Sequence, residues 1–307
     1  MYNAAMLEIR PDLREAYNSL CYQGEQFVDP HEIIQLEGLT FAHPKKGDVP
    51  IKIDTEILAA QGTLYVGDPA LRYTLQGYGI ETDGHENAMY FLASHLDTKA
   101  EKLVWGFSGY ATGGLDPETD RPYGYAEEAQ SLLTLYNYLD EEGKAPSLAV
   151  DGGVSEGFLA LNSVVAASAN VPTLGFIPKQ GLKSVGIRDH MVVAGETYQD
   201  REALVATADV LAFAGGAAGT TRECIGAVRN GAAALVLWHE KYRDDALPNA
   251  FLKHKDLREA FGDGRLAVCK SLEEIPEKVD QVLQVDVKAS RARRVKGIAG
   301  FLFGTGS

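Results

Sequence analysis

Little in this chain invites covalent or metal chemistry. Its 307 residues include three cysteines and seven histidines, and no C-x-x-C or H-x-x-x-H pair occurs among them. Cys21, Cys224 and Cys269 are far apart and odd in number, which fits buried reduced thiols rather than a disulfide framework. No metal site and no cofactor are expected. The amino terminus, MYNAAMLEIRPD, lacks a basic stretch followed by an apolar run, so no signal peptide is expected. No apolar segment approaches the roughly 20 residues that span a bilayer, so a cytoplasmic protein without a membrane partner is the expectation. Positive charge is scarce too: 29 Lys and Arg against 43 Asp and Glu leave a formal charge of −14. Such a surface does not wrap a long polyanion, because nucleic-acid affinity rests on many phosphate contacts and released counterions. A single phosphate in a pocket is another matter, since backbone N–H groups hold it locally.

What is present describes a globular chain, 45% apolar and 23% charged, long enough for one large or two medium domains. From Leu103 onward, short apolar runs alternate with longer helical patterns. Strands are expected at Leu103–Phe107, Ser147–Val150, Thr173–Ile177, His190–Val193, Val210–Ala214, Ala234–Trp238 and Arg265–Val268. Helices are expected at Tyr125–Glu142, Leu159–Ala169, Arg201–Ala208, Thr220–Arg229 and Asn249–Phe261, with a last one beginning near Pro276. Strands of about five apolar residues separated by helices of ten or more are the signature of βαβ units. The fold class expected is therefore α/β, a doubly wound parallel sheet of Rossmann-like type over residues 99–307. Residues 1–98 read as a small acidic α+β segment, with helical patterns near Pro11–Tyr22 and Glu86–Leu96 and alternation at Ile51-Lys52-Ile53. No Ser/Pro-rich linker marks the boundary near Thr98, so the two parts are expected to pack together. Lys288, Arg291, Arg293, Arg294 and Lys296 form a basic run on a helix, and most such runs are solvated faces.

In an open parallel sheet, ligands bind beyond the carboxyl ends of the strands. Three strand ends here carry glycines: Gly106-Phe107-Ser108-Gly109 continuing to Gly113-Gly114, then Asp151-Gly152-Gly153 through Gly157, and Gly215-Gly216-Ala217-Ala218-Gly219-Thr220-Thr221-Arg222-Glu223. Glycines let a ligand approach the backbone, and the free N–H groups opening the next helix face it with the positive end of the helix dipole. None of these turns matches G-x-G-x-x-G or G-x-x-x-x-G-K-[ST], so the usual hydride-transfer and phosphoryl-transfer readings lose their support. Each motif has a plain structural reading as well. A glycine turn is a tight strand-to-helix connection, Thr220-x-x-Glu223 is a capping box, and Arg201 after Asp200, a candidate N-cap, is an exposed first-turn residue.

The run from Arg201 through Asp209 to GGAAGTTRE resembles the signature of the Lonely Guy family, an arginine-bearing helix followed by P-G-G-x-x-G-T-x-x-E. Gly215, Gly216, Gly219, Thr220 and Glu223 fall on that spacing. Gly152-Gly153 and Gly106–Gly109 resemble the family's two earlier turns, and the similarity spans the order of elements from about Lys102 to Trp238. Ala214 stands for the motif's proline, Glu202 for a usual lysine, the Arg201-to-Asp209 spacing is about one residue short, and residues 1–98 have no counterpart in the short plant-type members. The resemblance implies a nucleotide-binding protein and, with it, an enzyme that hydrolyses the N-glycosidic bond of a nucleoside 5′-monophosphate, releasing base and ribose 5-phosphate. It also implies a homodimer or larger assembly. Glu223 and Arg201 are then the catalytic candidates, and Gly215, Gly216, Gly219, Thr220, Thr221, Gly152, Gly153, Ser108 and Gly109 the phosphate- and nucleotide-binding ones. A non-catalytic nucleotide or molybdenum-cofactor carrier or sensor is the alternative, and a nucleic-acid-handling protein is disfavoured by the charge.

Overall fold

The structure, a computed structural model, describes residues 7–22, 32–109, 124–243 and 245–304. Ten strands are present among them: β1 Ile33–His43, β2 Gly47–Asp54, β3 Thr63–Val66, β4 Val104–Gly109, β5 Leu148–Asp151, β6 Thr173–Ile177, β7 His190–Val193, β8 Val210–Ala214, β9 Ala233–Leu237 and β10 Leu266–Cys269. The α-helices are α1 Arg14–Tyr22, α2 Thr55–Ala59, α3 Pro69–Gly77, α4 His85–His95, α5 Ala126–Glu141, α6 Gly157–Ser168, α7 Tyr198–Val205, α8 Ala218–Arg229, α9 Ala246–Lys253, α10 Lys255–Gly262, α11 Ile275–Leu283 and α12 Arg291–Leu302. Eight strands form one parallel sheet in the order β10-β9-β8-β4-β5-β6-β7-β3, and β1 and β2 form a separate antiparallel hairpin. The chain is thus a Rossmann-like, doubly wound α/β protein.

Sheet alternation sorts the core into two layers. Val210, Ala212 and Ala214 of β8 belong to the layer packed by α1, α5, α6 and α11, while Leu211 and Phe213 belong to the layer packed by α4, α7, α8, α9, α10 and α12. Such two-sided burial is why these strands read as continuous apolar runs. β3, from the stretch before Thr98, pairs with β7 as an edge of the same sheet, Thr63 against His190. Among the described residues no helix is long and apolar enough to cross a membrane, and no group of three or more His, Cys, Asp or Glu is placed to hold a metal ion. All three cysteines are buried and free of disulfides.

Several local expectations are corrected. The helix expected from Arg201 begins at Tyr198, because Thr197 is its N-cap and Asp200 sits inside the first turn, accepting hydrogen bonds from the N–H groups of Glu196 (2.8 Å) and Thr197 (2.7 Å). The helix expected over Asn249–Phe261 is two helices that meet at His254. The basic run is not a solvated face throughout. Arg291 and Arg294 are 0% and 2% exposed and close on Asp209, which is itself 0% exposed. Their stems and guanidiniums pin α12 to the start of β8.

Candidate functional site

The order of the sheet decides where a ligand is held. From β4 the chain proceeds through β5, β6 and β7 in one direction, then returns to lay β8 on the other side of β4. That reversal makes β4 and β8 the switch point, and the crevice beyond their carboxyl ends is the preferred ligand position in an open α/β sheet. A cavity of about 530 Å³ opens there, within the size range of small-molecule sites.

Its floor follows from alternation along β4. Val104 faces the layer containing α8 and Phe107 the opposite one, so Ser108 turns toward α8. There its Oγ donates a hydrogen bond to Glu223 Oε2. Glu223 lies just over one turn into α8, whose N-cap is Ala217 rather than Thr220. The Thr220–Glu223 capping box is therefore not formed: both residues are already inside the helix, and the carboxylate is turned to β4 instead. Glu223 is 7% exposed. Burial pushes its carboxyl up to about 7, and the nearby Arg201 charge and the Ser108 hydrogen bond lower it without offsetting that effect. A carboxyl poised there exchanges protons at neutral pH.

Arg201 is buried as well, not an exposed first-turn residue, at 8% exposure. Its Nη1 donates to the carbonyl of Gly152 at the end of β5, and its guanidinium lies 4.7 Å from the centre of the Tyr198 ring. Gly152 is required for that approach, since a Cβ would stand 2.6 Å from Arg201 Cζ. Arg201 Nε is buried without a hydrogen-bond partner among the described residues.

The cavity wall thus gathers Ser108, Gly109, Gly152, Arg201, Gly219, Thr220 and Glu223 from four separate elements. Gly153, Gly215, Gly216 and Thr221 do not line it. Gly153 packs against Met191, where a Cβ would come within 2.9 Å of the sulfur, and Gly215, at φ +62°, lies against the Tyr242 ring. The Gly216 N–H, a candidate phosphate donor, is taken by Asp245 Oδ2 at 3.0 Å, and the Thr221 N–H by the Ala217 carbonyl at 3.2 Å. Helix geometry leaves the N–H groups of Ala218, Gly219 and Thr220 without intrahelical acceptors, so the set of free backbone donors at the start of α8 is narrower than the motif. Gly113 and Gly114 lie outside the described residues.

Other wall residues carry no motif. His43, Pro44 and Lys45 come from the β1–β2 turn, Gln180 from the segment after β6, and Glu202 and Arg222 from α7 and α8. Glu202 and Arg222 form a two-pronged ion pair, Nε to Oε2 at 2.6 Å and Nη2 to Oε1 at 2.7 Å. The acidic residue where a lysine is usual in the resembling family thus has a partner of its own.

No protein-family model matches this chain, and no curated protein matches it. Among solved structures, it is similar to a molybdenum cofactor binding protein from Rippkaea orientalis, with 19% identity and a TM-score of 0.42 over 60% of this chain and 98% of that one. The molybdenum cofactor carrier protein from Chlamydomonas reinhardtii gives 19% identity and a TM-score of 0.41 over 60% and 99%. DNA processing protein A from Helicobacter pylori gives 15% and 0.36 over 82% and 97%. Similarity of this degree carries no ligand across, so the chemistry rests on the cavity itself.

Proposed function

We propose that this chain binds a nucleoside 5′-monophosphate at the switch point and hydrolyses its N-glycosidic bond, giving free base and ribose 5-phosphate. The observation that carries this reading is Glu223: a buried carboxyl at the floor of the cavity, raised to about 7, beside the guanidinium of Arg201. The 5′-phosphate binds the first-turn N–H groups of Ala218, Gly219 and Thr220 with the Thr220 hydroxyl, where the helix dipole favours an anion. Held by that anchor, the ribose lies over Glu223. As the C1′–N bond breaks and its electron pair leaves on the base, the sugar gains oxocarbenium character; the ionised carboxylate stabilises that charge, takes a proton from the water whose oxygen bonds C1′, and the proton is then returned to the base nitrogen. Arg201, which lines the same cavity, binds the phosphate or the departing base.

A carrier of the same nucleotide, or of a molybdenum cofactor, would use the same first-turn N–H groups. It has no use for a carboxyl held out of water near neutrality, and this favours cleavage. Incubation with a panel of nucleoside monophosphates, followed by chromatography for free base, tests the proposal. Base released from at least one nucleotide is the expected result. Tight binding without release from any of them would leave a carrier.

A further inference from the structure

The loops of the parallel sheet do not enclose the cavity alone. Its outer wall is the β1–β2 turn, His43, Pro44 and Lys45. Local interactions make this turn firm. Pro44 fixes φ inside a turn closed by the Lys46 N–H on the His43 carbonyl (3.2 Å), His43 Nδ1 accepts the Lys45 N–H (3.1 Å), and Gly47, at φ +70°, returns the chain into β2. The hairpin is also tied to the sheet. Glu196 Oε2 accepts the Ala42 N–H at 3.1 Å, while Glu196 Oε1 meets Lys179 Nζ at 3.0 Å. Lys179 is held as well by Asp68, at 2.8 Å.

Three cations line the cavity: Lys45, Arg201 and Arg222. Arg222 is committed to Glu202, and Arg201 donates to Gly152. The Lys45 ammonium has no ion-pair or hydrogen-bond partner among the described residues, in a chain with a formal charge of −14. Its distance from the phosphate end follows from the sheet. The N-terminus of α8 stands at the end of β8, whereas the hairpin packs on the segment that follows β6. Three strand spacings separate β8 from β6, about 14 Å, so the hairpin and the start of α8 lie toward opposite sides of the switch point.

Resting on the nucleotide reading above, we propose that Lys45 recognises a second acidic group at the base end of the ligand. The preferred substrate class is then a nucleoside 5′-monophosphate whose base itself carries an acid. A second anion at the rim completes the cation that the protein leaves unpaired, and a neutral base does not.

Two pairs of ligands isolate this feature. 5-Carboxyuridine 5′-monophosphate is uridine 5′-monophosphate with a carboxylate on C5, on the edge of the base away from the glycosidic nitrogen, and xanthosine 5′-monophosphate is the acidic-base counterpart of guanosine 5′-monophosphate. Dissociation constants from calorimetric titration should favour the acidic member of each pair about two- to fivefold, the worth of a solvent-exposed ion pair. Lys45→Ala should abolish the preference in each pair. Lys46→Ala, on the same turn but outside the cavity wall, should keep the preference and so separates a specific contact from overall charge. A wild-type protein that binds both members of each pair equally, or a preference that survives Lys45→Ala, overturns the inference while the nucleotide site stands. If none of the four nucleotides binds, the nucleotide reading fails and this inference with it.

Discussion

Strand β8 has a buried carboxylate near each end, and the two are surrounded in opposite ways. Just before the strand, Asp209 accepts from Arg291 Nη2 and Arg294 Nη2, both at 2.5 Å, and from the Val104 N–H at 2.9 Å. Arg291 also donates to the carbonyls of Asp97, Ala100 and Lys102, fastening the loop that enters β4. Beyond the other end, Glu223 accepts a single hydrogen bond among the described residues, from Ser108. Burial alone therefore does not mark a functional carboxylate. Where donors surround it on every side, the charge is a structural fastening; where they are few and a cavity adjoins, the charge is costly and chemically available.

The contrast breaks most visibly through turnover. Replacing Glu223 with glutamine should lower the rate of base release by about 10²–10⁴, the usual range for losing a positioned acid–base group. Nucleotide affinity should change far less, because the backbone donors at the start of α8 remain. Undiminished turnover would remove Glu223 from the mechanism. The next largest effect belongs to the other carboxylate. Asp209→Ala leaves two buried guanidiniums without their anion and should cost about 3–5 kcal/mol in urea unfolding, while the folded fraction binds nucleotide as before. A loss under about 1 kcal/mol would make Asp209 no fastening at all.

A smaller effect sharpens the comparison through pH. The Glu223 carboxyl is raised from 4.5 to about 7 in the folded chain, so the folded state holds its proton more tightly than the unfolded one. The stability this contributes is full below about 4.5 and is lost as pH rises through about 7. Glu223→Gln, neutral at every pH, should match the wild type below about 4.5 and exceed it by about 1–3 kcal/mol at mildly alkaline pH. Thermal unfolding across that window is the measurement. A variant less stable than the wild type at alkaline pH would show that the carboxylate is well paired after all.

The strands at Thr173–Ile177, His190–Val193 and Val210–Ala214 were legible to the residue, because a strand buried on both faces needs an uninterrupted apolar run. Features set by distant partners were not. Arg291 and Arg294 look like a solvated face until Asp209 arrives from 82 and 85 residues away. The four residues of β3 are too few to show a period, and their strand character comes from β7. Of the cavity wall, Glu223 and the start of α8 could be singled out because spacing along one helix is local information, whereas Arg201, on α7, stood out only through the family resemblance. Thr220-x-x-Glu223 has the right spacing for a capping box, but α8 starts two residues earlier and Ser108 competes for the carboxylate. His43 and Lys45 carry no signal of their own, since only the landing place of the hairpin makes them part of a wall.

The pairing of β3 with β7 also has a consequence in time. Thr63 is translated long before its partner His190, and the hairpin's anchor Glu196 is later still. Closing so long a loop is slow compared with forming a helix or a hairpin. The β1–β2 hairpin is free to form early from its own turn, yet it waits for the far strand before it becomes one side of a vessel. The segment on which the hairpin packs follows β6, so a ribosome that stalled ahead of residue 173 would hold the hairpin's residues with that docking segment not yet made, and the mouth of the cavity dates from the middle of synthesis although its residues come from near the start.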